Sequence, residues 1–106
     1  MTDVPDRPDP VINTTTRLSL MAVLAGAHEV EFAAVRDASG LTDSLVSKQA
    51  TALEAAGYLT IRKGHVGRRS RTWLSLTPAG RVALRRHVAA LRRIIELAHD
   101  KAPTER

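Results

Sequence analysis

Leu41 to Gly80 reads L-T-D-S-L-V-S-K-Q-A-T-A-L-E-A-A-G-Y-L-T, then I-R-K-G-H-V-G-R-R-S-R-T-W-L-S-L-T-P-A-G. Thr42 can cap a helix, because its hydroxyl can accept a bond from a free backbone N–H of the first turn. Asp43 places negative charge where the helix dipole is positive. The helix is expected to run to about Ala56 and stop at Gly57. Val46, Ala50 and Leu53 recur at i, i+4, i+7 and form its buried stripe. That leaves Ser44, Ser47, Lys48 and Thr51 outward, with Gln49 on a flank. Tyr58 to Lys63 and Arg71 to Leu76 alternate as strands do, and Gly64 and Gly67 punctuate the connection. Thr77-Pro78 then opens a last helix, with proline where a missing N–H costs nothing. That helix is expected over about 78–101.

Upstream, Thr14 or Thr15 can cap a first helix to about Ala25, with Leu18, Met21 and Leu24 facing inward. Gly26 ends it, and His28 to Glu31 reads as a short extended link. Phe32 to Ser39 makes a second helix, Phe32 and Val35 inward, stopped by Gly40. With the helix that follows it forms a helix-turn-helix unit. Residues 1–10 hold three prolines and three aspartates and little to bury, so a flexible or loosely docked arm is expected. A short turn can begin at Pro10 with Asp9 as its cap. Residues 11–106 form one domain, mainly α with a small antiparallel β-hairpin.

Charge narrows the function. The formal net charge is +5. No acidic residue occurs between Glu54 and Glu96, while Arg62, Lys63, Arg68, Arg69, Arg71, Arg81, Arg85, Arg86, Arg92 and Arg93 fall within that interval. Such a block suits a polyanion, most simply nucleic acid. Cysteine is absent, which excludes disulfides, thiol catalysis and thiolate metal sites within the sequence. No apolar run approaches membrane-spanning length. The start lacks the pattern of a secretory signal, and a cytoplasmic location is expected.

The third helix carries side chains suited to a major groove. Thr42, Ser44, Ser47, Lys48, Gln49 and Thr51 are the candidate base readers: the hydroxyls allow close approach, Gln49 can offer donor and acceptor to adenine, and Lys48 can donate to guanine or phosphate. The tip, Lys63 to Arg71, supplies cations for phosphates or a narrow minor groove. Arg62, Lys63, His65, Arg68, Arg69 and Arg71 are the candidates there.

As an ensemble, the helix ending L-E-A-A-G-Y-L, the R-K-G-H-V-G-R-R-S-R-T-W tip and L-S-L-T-P-A-G resemble the winged helix-turn-helix regulators of the MarR and ArsR type. The likeness is nearest to the small stand-alone MarR-like winged-helix DNA-binding domains and covers roughly residues 13–97. It implies that Thr42 to Thr51 reads the groove and Lys63 to Arg71 is the wing. Leu45 departs from the pattern, standing where such families often carry a polar residue. It can touch a thymine methyl or pack on the first helix.

In the last helix Leu84, Val88, Leu91, Ile95 and Ala98 step by four, three, four, three, a heptad-like seam with arginines off it. The expectation is a two-fold homodimer through this helix and the first, setting two reading helices about one DNA turn apart. Glu96 and His99, spaced i, i+3, are the pair with metal-ligand spacing. Without cysteine partners no metal is expected, nor any other cofactor. No catalytic constellation is recognisable, and His28 beside Glu29 and Glu31 reads as a turn, so no enzyme is expected. The expected function is a double-stranded DNA-binding transcription regulator, a homodimeric repressor. The competing reading is a winged-helix module that binds an acidic protein. A small apolar effector between the first and last helices fits a regulator, and nothing in the sequence names one.

Overall fold

The computed structural model describes residues 6–100, and at Asp100 the backbone alone. Its elements are α1 (Thr15–Ala25), β1 (Val30–Glu31), α2 (Phe32–Ser39), α3 (Asp43–Ala55), β2 (Leu59–Val66), β3 (Arg69–Leu76) and α4 (Pro78–Asp100). The strands form one antiparallel sheet in the order β1-β3-β2. This is a winged helix-turn-helix: four helices, a small sheet and a long final helix.

The local chemistry accounts for the boundaries. Thr14 and Thr42 cap α1 and α3, accepting bonds from the backbone N–H groups of Arg17 and Leu45. At the end of α3 the Tyr58 N–H reaches the Leu53 carbonyl and the Gly57 N–H reaches that of Glu54, the paired bonds of a Schellman close. Thr77 caps α4 through the Gly80 N–H and donates its own hydroxyl to the Gly57 carbonyl. One threonine therefore ties the start of α4 to the end of α3. Gly80 is required there, since a Cβ would stand 2.0 Å from the Tyr58 carbonyl oxygen.

The core is aliphatic. Leu20, Met21 and Leu24 of α1 meet Val35 of α2, Val46, Ala50 and Leu53 of α3, and Leu59, Leu74 and Leu76 of the sheet. Leu18 and Phe32, expected inward, pack half-buried against this cluster, and Leu20, not named in the sequence stripe, is the α1 leucine that is fully buried within it. The reason is that α1 packs against α2, α3, β3 and α4, so its buried arc is wider than one stripe.

Two departures concern the sheet. The segment Val30–Glu31, expected as a link, pairs with β3, Val30 opposite Leu74 and Glu31 opposite Trp73. The hairpin strands also run further than their alternation suggests: Gly64 lies within β2, opposite Arg71, and pairing continues to Val66 opposite Arg69. Only Gly67 and Arg68 remain as the turn. Gly67 has φ +63° and Arg68 a negative φ, the pattern of a two-residue hairpin turn with glycine first.

Of the expected arm, residues 1–5 lie outside the described residues. Asp9 starts the short turn: its carboxylate accepts from the Val11 N–H and its carbonyl from that of Ile12. Its backbone N–H donates to Nδ1 of His87 at 2.8 Å, and its carboxylate accepts from the Tyr58 hydroxyl at 2.6 Å. Ile12 is fully buried. Residues 6–12 are thus held against α4 and the end of α3.

Candidate nucleic-acid interface

The burial of Val46, Ala50 and Leu53 sets the rotation of α3. Ser44, Ser47, Lys48 and Thr51 face solvent and, with Phe32 and Asp43, line a shallow groove beside the start of α2. Thr51 donates its hydroxyl to the Ser47 carbonyl, which leaves its methyl and oxygen lone pairs outward. Thr42 is exposed, but its oxygen serves the cap. Arg36 of α2 reaches Asp37 and, at 3.0 Å, Asp43, so the first turn of α3 is fastened to α2.

Gln49 is half-buried on the flank that faces α1. Its Oε1 accepts from Nε of Arg17 at 2.7 Å, and Nη1 of the same arginine donates to the Val11 carbonyl. Leu45, one turn earlier on that flank, is 39% exposed. Its place outside the core leaves its methyl groups available beside Gln49.

The hairpin register sorts the wing residues into two faces, because side chains alternate along each strand. Leu59, Ile61, Lys63 and His65 of β2 share a face with Leu76, Leu74, Thr72 and Ser70 of β3. This inner face is the one that carries the core, and α3 packs against it. Beyond the core it continues outward as Lys63, His65, Ser70 and Thr72, on the side of the molecule where α3 lies. Arg62, Arg69, Arg71 and Trp73 take the opposite face.

Two of those arginines are engaged. Arg62 forms paired bonds of 2.9 and 2.8 Å to the Glu29 carboxylate and lies 4.2 Å over the Trp73 ring. Arg71 pairs with Glu31 at 3.0 Å. The bonds from Arg62 hold the Glu29 carboxyl below the usual carboxylate range, and Glu29 in turn raises the Arg62 guanidinium. Among the described residues Arg68 and Arg69, at the turn, have no acidic partner. Glu29 and Glu31, expected in a turn, are the partners of Arg62 and Arg71. The alternation Glu29-Val30-Glu31, one apolar residue between two acids, is the signal in the sequence for that arrangement.

The α4 seam divides in two. Leu84 is buried and Val88 packs on the core, Leu91 is half-buried, and Ile95 and Ala98 are exposed. His87, on the same stripe, is 1% exposed. The first half of the stripe thus faces this chain's own body, and the second half, with Ile94 added, continues past it uncovered. Glu96 and His99 are exposed near its end, and no cluster of three or more potential metal ligands gathers among the described residues. Among those residues no helix is long and apolar enough to cross a membrane.

Comparison with known proteins agrees with this geometry. Residues 16–95, well over half of the chain, match the family model for a winged helix DNA-binding domain. The uncharacterized protein MJ0432 of Methanocaldococcus jannaschii is 27% identical over 78 residues, covering 74% of this chain and 85% of that protein. A transcriptional regulator homologue from Pyrococcus horikoshii has a similar structure, with TM-score 0.76 at 22% identity, covering 83% of this chain and 87% of that one. The PcaV transcriptional regulator of Streptomyces coelicolor, solved with its natural ligand, gives TM-score 0.73 at 20% identity over 87% of this chain and 64% of its own. The chain belongs to the winged helix DNA-binding domain family.

Proposed function

We propose that this protein is a homodimeric transcriptional repressor that reads duplex DNA with α3 and grips the backbone or minor groove with its wing. The observation that supports the reading is that α3 packs on the sheet face which the wing prolongs. Leu59, Leu74 and Leu76 of that face share the core with α3, and the same face continues along the hairpin as Lys63, His65, Ser70 and Thr72. A rod of short polar side chains with one lysine suits the major groove, and a cationic finger beside it suits the flanking phosphates.

In this reading Ser44, Ser47, Lys48 and Thr51 approach base edges. Lys63 and His65 supply wing contacts from the inner face, Arg68 and Arg69 supply them from the tip (Arg69 from the outer side of the strand end), and Arg62 and Arg71 anchor the wing to β1. Dimerisation uses the uncovered end of α4, Leu91, Ile94, Ile95 and Ala98. Fully burying an exposed isoleucine side chain is worth on the order of 1.5–3 kcal/mol, so Ile94 and Ile95, each about half exposed in the single chain, carry most of the driving force, with smaller shares from Leu91 and Ala98. A regulator of this fold, PcaV, binds a natural ligand. In this chain the open cleft between Asp6–Pro10 and α4, where Tyr58 links it to the end of α3, is the proposed place for a small-molecule effector, instead of a site between the first and last helices.

The test is binding of the full chain to random and selected duplexes at several salt concentrations. The reading expects affinity that falls steeply with salt, by roughly 0.9 in log K per unit log salt for each phosphate contact, and a preferred sequence above that background. No binding to duplexes at low salt would overturn it and leave an acidic protein as the partner to seek.

A further inference from the structure

We infer that Arg17 sets the polarity of Gln49 so that the Leu45–Gln49 flank of α3 reads thymine. The inference rests on the DNA-reading role proposed above and names the base it selects at one position.

An unconstrained glutamine amide is ambiguous. It can give adenine a donor and an acceptor together, or turn its NH2 group alone toward an acceptor. Here the ambiguity is removed by chemistry. Arginine has no acceptor, so the atom that Arg17 Nε contacts at 2.7 Å is the amide oxygen. The oxygen is committed to α1, and Arg17 is itself held by the Val11 carbonyl. The NH2 end has no protein partner among the described residues, nor is it a buried orphan, so it meets solvent. Gln49 is therefore presented as a donor alone.

A donor alone cannot make the two-bond adenine pair, which needs an acceptor for N6 as well; it can make single bonds to thymine O4, to guanine O6 or N7, or to adenine N7. Leu45 separates thymine from the purines. It lies one turn before Gln49 on the same flank and is 39% exposed. Thymine carries a C5-methyl next to O4, and neither purine has a methyl in the groove. The pair of side chains matches the pair of groups on one thymine. Arg17 acts as a positioning residue and need not touch DNA.

The experiment is selection of bound sites from random duplexes by the full chain, by Gln49→Glu and by Arg17→Ala, followed by competition with deoxyuridine in place of the selected thymine. Wild type should enrich thymine at one position of each half-site, and adenine there should weaken binding by at least about fivefold. Gln49→Glu keeps an acceptor for Arg17 but loses the donor, so thymine enrichment at that position should fall, with the remainder that Leu45 supplies lost in Gln49→Glu with Leu45→Ala, while the other positions persist. Arg17→Ala frees the amide to turn, and adenine should join or replace thymine. Deoxyuridine should weaken wild type and leave Leu45→Ala indifferent. Adenine selected by wild type, or thymine selected as strongly by Gln49→Glu as by wild type, would overturn the inference while leaving DNA binding intact. A wild type that binds duplexes without preference at any position overturns it as well. Absence of all duplex binding removes both this inference and the function beneath it.

Discussion

The guanidinium of Arg62 is held between the Trp73 ring, 4.2 Å below it, and the Glu29 carboxylate, 2.8 Å away. One residue of β1's approach, one of β2 and one of β3 are thereby joined across the outer face of the sheet. The wing root is a three-strand structure, stiffer than a free hairpin. Arg62→Ala should raise hydrogen exchange in the outer halves of β2 and β3 with little change at Leu20 or Leu53. Unchanged exchange in the wing would show that the stacked pair does not stiffen it.

The same contact has a pH consequence. Glu29 has a folded-state pKa below its ordinary 4.5. Its contribution is therefore present above the unfolded value and is lost as pH falls through the lower, folded one. Trp73 fluorescence should stay constant from neutral pH to about 4.5 and change only below it. In Glu29→Gln that acid transition should be absent. A transition centred well above 4.5 would contradict the assignment.

Gly80→Ala should destabilise the domain. The added methyl meets the backbone of Tyr58 at 2.0 Å, where no flexible side chain can give way. Relieving it must shift α4 against the α3–β2 junction, at a cost of about 1–3 kcal/mol. Chemical denaturation should show a lower midpoint, and a midpoint equal to wild type would mean that the helix start is looser than described.

For the proposed dimer, sedimentation at micromolar concentration should give twice the mass of the chain. Ile95→Glu should give a folded monomer, because Ile95 is 54% exposed in the single chain and contributes little to its core. Circular dichroism would confirm retained helix. A monomeric wild type rejects the two-fold arrangement.

Arg68→Ala with Arg69→Ala should weaken binding to all sequences and flatten the salt slope by up to about 1.8, two contacts at 0.9 each. Arg71→Ala should flatten it less than either single substitution at the turn, since Arg71 is paired with Glu31. An equal effect would show that the Glu31 pairing does not withhold Arg71 from DNA.

Much of this was legible from local chemistry. Thr42, Gly57 and Thr77-Pro78 mark helix ends by what their own atoms can bond, and Val46, Ala50 and Leu53 announce a buried stripe by spacing alone. What was hidden depends on partners distant in sequence. A two-residue strand has too little alternation to read, so β1 became visible only beside β3. Arg62 and Arg71 looked like free wing cations because their acids, Glu29 and Glu31, come from the other side of α2 and α3. His87 sits among arginines in sequence, and its burial follows from Asp9, 78 positions away. Gln49 is legible as a flank residue from spacing, but Arg17, which donates to its oxygen, belongs to another helix.

The central claim is that α3 and the wing address the same duplex from one side. Chemical-shift mapping of the labelled full chain during titration with its selected duplex tests this most directly. The account predicts simultaneous, salt-sensitive shifts at Ser44, Ser47, Lys48 and Thr51 and at Lys63, His65 and Arg68, with Thr60 and Ser75 on the outer sheet face unmoved. Shifts confined to the outer face, or α3 responding while the wing stays silent, would contradict it.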